Sequence, residues 1–187
     1  MHRTAFAAVL GVSGLLALPA LCQSKSPAKQ PAQTQPAAVQ PQRLASAQSW
    51  TAYSAPEKSG QICYIVGDPA KSEPANVKRD PVHLLVTHNT SDKTNSVISF
   101  IAGYGFKDGS PAELEIGDKK FSLFTKDDTA WARDAATDKA IVESMLKGKQ
   151  AVIKGSSARG TATTDTYALA GFGQVLAEID KACKVKR

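Results

Sequence analysis

Through the second two-thirds of the chain, apolar and polar residues alternate in short runs bounded by Gly, Pro, Asp or Asn, and each run predicts a strand. The runs are Trp50 to Tyr53, Ile62 to Val66, Val82 to Thr87, Ser96 to Ile101, Ala112 to Ile116, Phe121 to Thr125, Ala151 to Ile153 and Asp165 to Leu169. Glu113 and Glu115 alternate with Leu114 and Ile116, the signature of a strand with one wet face. Gly117-Asp118 then supplies a two-residue turn into Phe121, closing a hairpin. Twice the period changes to that of a helix. After Thr137, an expected N-cap, the residues Ile141, Val142, Met145 and Leu146 form one stripe that stops at Gly148, and Phe172, Val175, Leu176 and Ile179 form another that runs to Cys183. Many short strands with few helices predict a mainly β, single-domain antiparallel β-sandwich or barrel-like fold with two short α-helices; a parallel βαβ arrangement lacks the required alternation.

Before this domain the pattern is different. An apolar run from Ala5 to Leu21, preceded by His2 and Arg3 and broken by Ser13 and Pro19, predicts a secretory signal peptide over residues 1–22. Cys22 reads either as the last residue removed with it or as the lipid-bearing first residue of a lipoprotein; Leu21 is larger than lipidation favours. Residues 23–48, mostly Pro, Gln, Ala and Ser, are expected to be a disordered tether, because so little apolar surface does not offset the entropy of ordering. The β domain is expected over residues 49–183, followed by a basic tail, 184–187. Without Cys22, the cysteines left are Cys63 and Cys183, and an even count in an exported chain predicts a disulfide between them.

Charge changes little once it is divided. The formal net charge is +6, but Trp50 to Arg187 carries 19 basic and 17 acidic residues, and Lys184, Lys186 and Arg187 account for three of the basic ones. The excess therefore sits in the chain ends, which suits weak attraction to an anionic membrane surface and argues against a nucleic-acid groove.

The run Lys154 to Leu169 is where catalysis is first to be sought. Gly155-Ser156-Ser157-Ala158-Arg159-Gly160-Thr161 has the frame of a phosphate loop without the lysine that should follow the second glycine, and a strand-like segment follows in place of a helix. Arg159 stands where a nucleophile elbow around Ser157 needs its second glycine. The histidines are His2, His83 and His88, all upstream; a hydrolase using Ser156 or Ser157 with His83 or His88 is the alternative reading. His83 and His88 lie five apart on one strand, so they should face opposite sides and serve structure rather than share a metal. Asp127, Asp128 and Asp134 lack calcium-loop spacing, and Trp50 and Trp131 are expected to be core anchors. No catalytic residue, cofactor or metal ligand is assigned. The candidate contact surface is the polar turn with Arg159, Thr161, Thr163 and Asp165.

Several ordered pieces carry a resemblance across Trp50 to Cys183. They are Trp50-Thr51-Ala52-Tyr53, Cys63-Tyr64, Leu84-Leu85-Val86-Thr87-His88, Gly103-Tyr104-Gly105-Phe106, Phe121-Ser122-Leu123-Phe124, Ala130-Trp131-Ala132-Arg133-Asp134, Met145 with Lys147-Gly148, the run through Leu169, Gly171-Phe172 and Cys183. With these the chain resembles the invasion-associated locus B family of exported bacterial proteins. Ala168 departs from the serine expected there, and the tether is not part of the shared domain. The resemblance implies a periplasmic or outer-membrane-associated protein without cofactor or catalytic residues, linked in some bacteria to entry into host cells. Together with the export signal, the disulfide, the tether and the failed catalytic motifs, it leads to the expectation of a non-enzymatic protein that binds a protein or envelope partner.

Overall fold

In the computed structural model, which describes residues 40–187, the alternating runs become a sheet of eleven strands, every pairing antiparallel. The elements are β1 (Gln42–Ala47), β2 (Trp50–Glu57), β3 (Gly60–Gly67), β4 (Lys71–Glu73), β5 (His83–Asn89), β6 (Thr94–Ile101), β7 (Ala112–Ile116), β8 (Lys119–Lys126), β9 (Thr129–Trp131), α1 (Ala135–Lys147), β10 (Gln150–Ser156), β11 (Ala162–Ala168) and α2 (Phe172–Ala182). Their order in space is β1-β2-β3-β5-β6-β9-β8-β7-β10-β11-β4. The sheet is open, yet it curls until its two ends meet: the Trp50 indole Nε1 donates to the Ala168 carbonyl at 2.8 Å, and Trp50 lies 6.2 Å from the Tyr167 ring. The mainly β, sandwich-like expectation holds, with two helices.

Burial follows strand alternation. Trp50, Ala52, Cys63, Ile65, Leu84, Val86, Ile98 and Phe100 point inward from one half of the sheet, and Leu114, Leu123, Ile153 and Tyr167 from the other. α2 packs on β1, β2 and β3, and α1 on β6, β7 and β8. Burying each such large side chain contributes about 1.5–3 kcal/mol. Cys63 on β3 and Cys183 at the end of α2 are joined by the expected disulfide, 120 residues apart in sequence.

The outward faces differ. On β2, β3, β5 and β9 Tyr53 stacks on Tyr64, Trp131 stacks on Phe124 of β8, and Val66 and Leu85 lie between them in register. On β7, β8 and β10 the same positions hold Glu113, Glu115, Lys120 and Lys154, and the two lysines lower the Glu115 pKa to about 2.

Four expectations are corrected. Gln42–Ala47, placed in the tether, form β1, because pairing with β2 satisfies their backbone and Leu44, Ala45 and Ala47 pack on the core. The basic tail is docked at its end: Arg187 bonds Asp180 through Nε (2.7 Å) and Ser96 through Nη2 (3.1 Å). Asp134, not Thr137, caps α1, its carboxylate accepting from Thr137 N at 2.7 Å; Ala135 and Ala136 extend the helix ahead of its apolar stripe. Trp131 is half-buried, since on β9 it is Ala130 that points inward. The expected signal segment, Cys22 and the tether before Gln40 lie outside the described residues.

Candidate binding cleft

The hairpin of β10 and β11 runs in register to Gly155↔Thr163 and Ser156↔Ala162, then turns through Ser157 to Thr161. Ser157 N donates to the Thr161 carbonyl (2.9 Å), Gly160 N to the Ser157 carbonyl (2.8 Å), and Thr161 N to Ser157 Oγ (3.2 Å). This closes the turn on itself and leaves Arg159 at its exposed tip. The segment after β6 is stitched alongside: Ala158 N donates to the Gly105 carbonyl (2.8 Å) and Lys107 N to the Ser156 carbonyl (3.0 Å). On its other side the chain before β5 comes equally close, with Asp80 N donating to the Gly103 carbonyl at 3.0 Å. Gly103 has φ +70°, and a Cβ there would lie 2.1 Å from the Asp80 carbonyl oxygen, so only glycine permits this approach. Between Val77–Asp80, Gly103–Gly105 and Ser157–Thr163 lies a cleft of about 410 Å³, within the range of small-ligand sites.

Behind the cleft Asp165 is fully buried on β11. The Arg79 guanidinium, 8% exposed, bonds both its oxygens, Nη1 to Oδ2 at 3.0 Å and Nη2 to Oδ1, and also reaches the Ala102 carbonyl at 3.3 Å. Ser72 Oγ on β4 donates to Asp165 Oδ1 at 2.7 Å. A buried carboxylate with a forked cation and a hydroxyl has its charge and lone pairs met. Arg79 also lies over the Tyr104 ring, 5.9 Å from its centroid, and the Tyr104 hydroxyl shares a 2.6 Å hydrogen bond with Thr163 Oγ1. Burial raises the pKa of that hydroxyl above the usual phenol value, so it keeps its proton at neutral pH. Gly155 makes room for this wall: a Cβ there would meet the Tyr104 hydroxyl at 2.6 Å and Phe106 Cε1 at 2.8 Å.

Of the residues expected to form the contact surface, Arg159 is exposed and Thr161 half-buried, and both line the cleft. Thr163 lines it from a buried position, 4% exposed, and Asp165 is removed from contact entirely. The reason is that β11 begins at Ala162, so Thr163, Asp165 and Tyr167 share its inward face. Lys78, Arg79 and Tyr104 were missed as site residues. Nothing in their own spacing marks Lys78 and Arg79, which stand in irregular chain, whereas Gly103-Tyr104-Gly105 announced an unusual backbone.

The nominated serines and histidines stay apart. His88 is fully buried, its Nε2 bonded to Asp180 Oδ1 (2.9 Å) and its Nδ1 accepting from Ser96 N (2.9 Å). His83 faces the opposite way and bonds Asp68 at 2.9 Å. The cleft is lined by neither, and Ser157 Oγ accepts from the backbone of its own turn. Among the described residues no cluster of His, Cys, Asp or Glu is placed to hold a metal ion. A wider concavity of about 670 Å³ opens between the β2–β3 and β5–β6 turns, lined by Pro56 to Ser59, Ser91 and Asp92; it is a gap between exposed turns without a buried polar group.

The family described as "Invasion associated locus B (IalB) protein" matches residues 50–180, more than half of the chain. The chain belongs to the IalB family. No curated protein and no solved structure matches it. The IalB match begins after β1 and ends before Cys183, so the first strand and one half of the disulfide lie outside the matched residues, while Cys63 lies within them. Its description names a locus rather than a reaction. Within this IalB chain two stretches that carried the resemblance, Gly103-Tyr104-Gly105 and the turn through Arg159, build two of the three sides of the cleft.

Proposed function

We propose that this IalB protein is exported to the bacterial envelope and works by binding rather than catalysis, with the cleft beside Arg159 as its contact site. One observation supports this above the others: the cleft rests on a rigid, charge-satisfied floor, Arg79 with Asp165, while Arg159 and Lys78 at its mouth form no ion pair among the described residues. A preorganised floor with free cations at the rim suits recognition of a partner. The alternative, a hydrolase pairing Ser156 or Ser157 with a histidine, draws no support from a Ser157 whose oxygen is held by its own turn and a cleft whose lining includes neither His83 nor His88. The disulfide fits an oxidising compartment. Weak attachment to anionic membranes falls to Lys184, Lys186 and the residues before Gln40, since Arg187 is held by Asp180.

Two measurements test the reading. Cell fractionation with thiol alkylation should find Cys63 and Cys183 oxidised outside the cytoplasm; a reduced cytoplasmic protein sinks it. Purified protein should bind isolated envelope fractions, and Arg159→Glu should reduce that binding; an unaffected variant removes the cleft from the function.

A further inference from the structure

The lining of the cleft also indicates what it takes. Its cations are Lys78 and Arg159 at the mouth and Arg79 at the floor, and Arg79 is neutralised by Asp165. Asp80 is the acid among the lining residues, so the mouth keeps an excess of positive charge. Below the mouth the wall is rich in hydroxyls. Tyr104 and Thr163 carry two hydroxyl protons and use one in their mutual hydrogen bond, leaving the other for a ligand. Ser157 Oγ accepts from Thr161 N and retains its own proton to donate. Thr161 adds a further hydroxyl. At about 410 Å³ the space exceeds what a simple ion fills and falls near the lower end for organic ligands. A cationic rim above several hydroxyl donors and acceptors matches a small polyhydroxylated molecule with an anion at one end.

We infer that the cleft binds an acidic sugar unit, a saccharide bearing a carboxylate or a phosphate, with Arg159 and Lys78 taking the anion and Tyr104, Thr163, Ser157 and Thr161 taking ring hydroxyls. This rests on the binding reading above and names its ligand class. Arg159 is the principal anchor, because its planar fork can hold two oxygens of a carboxylate or phosphate at once, whereas Lys78 offers a point charge. Selectivity follows from the pairing of the two features: a neutral sugar lacks the charge, and a free anion leaves the hydroxyl wall unoccupied.

The test uses the full oxidised chain, titrated by calorimetry or NMR with glucuronate, glucose 6-phosphate, glucose and inorganic phosphate. At least one of the two acidic sugars should bind about tenfold or more tightly than glucose and than inorganic phosphate, and the stronger of the two identifies the anion. Arg159→Ala should weaken that binding roughly tenfold, the loss expected when a hydrogen-bonded charge is removed. Arg159→Lys should recover only part of it, and added salt should weaken it further. Because Arg159 is exposed, its variants should keep the wild-type melting temperature, and Lys78→Ala provides a second, independent variant. Glucose binding as well as the acidic sugars, phosphate binding as well as they do, or affinity unchanged in both variants each overturns the inference. So does the absence of any binding, and if Arg159→Glu still reduces attachment to envelope fractions, the binding role stands while its sugar ligand does not.

Discussion

The Asp165 carboxylate and the Arg79 guanidinium, both withdrawn from water, show what one residue can decide in this molecule. Removing either partner leaves the other as an uncompensated buried charge, so Arg79→Met or Asp165→Leu should lower stability by about 3–5 kcal/mol, while the double variant should recover most of the loss. Chemical denaturation of the three variants checks this; additive losses would show that the pair is not coupled. His88 decides a different property. Burial is the main cause that lowers its pKa below the usual 6.5, against the opposing pull of Asp180. Its protonation at Nδ1 would also break the bond from Ser96 N. A histidine whose folded pKa is depressed binds its proton more readily in the unfolded chain, so its contribution is present above about pH 6.5 and is lost as pH falls toward the folded value. Denaturation midpoints should therefore drop between pH 7 and pH 5, and His88→Gln should flatten that part of the profile. The opposite facing of His83 and His88 was legible, because strand period alone determines it, but nothing in the sequence pointed to Asp180 or Ser96, which arrive from α2 and from a bulge in β6.

At the level of elements, polar side chains finish what the ladders leave open. β9 pairs only with Ser99 to Ile101 of β6, and one residue further the Ile98 N–H is met by Asp138 Oδ1 of α1 at 2.8 Å. A helix side chain thus continues the edge where a strand stops. Asp138→Ala should leave a buried donor unpaired and destabilise by about 1–3 kcal/mol, while Asp138→Asn, which keeps an acceptor oxygen, should cost much less. Thermal melts of the two variants separate the cases. Packing constrains the cleft hairpin in a similar way: Gly155→Ala should push Tyr104 and Phe106 apart, lowering stability and weakening any ligand held by the Tyr104–Thr163 pair, in a single titration-and-melt experiment. The strictly alternating Ala112–Ile116 was legible to the residue, and the longer strands β2, β3, β6 and β8 in their apolar centres. The three-residue β4 and β9 were not, since so short a stretch carries no period, and β1 was hidden because its strand character comes from β2 and not from its own Gln-, Arg- and Ser-bearing composition. The cleft was half legible: the turn through Arg159 stood out, whereas Lys78, Arg79 and Tyr104 join it only through tertiary approach.

Across the whole molecule, the bond between Cys63 and Cys183 encloses nearly all of the folded chain. In the chain-entropy account, a loop of this length stabilises by about 5 kcal/mol, an upper value when the unfolded state retains structure. Reduction should lower the melting temperature sharply, and Cys63→Ala with Cys183→Ala should match the reduced protein; an unshifted melt would show that the core holds alone. The two tryptophans, one sealed between the curled ends of the sheet and the other stacked with Phe124 on its outer face, supply the molecule with two optical reporters of different range. Acrylamide should quench the emission of Trp131 while the protein is folded and reach Trp50 only when the sheet uncurls. A Trp131→Phe protein would then glow from its seam alone, bluer and shielded, so that a single fluorescence trace follows the opening of the fold without interference from its surface.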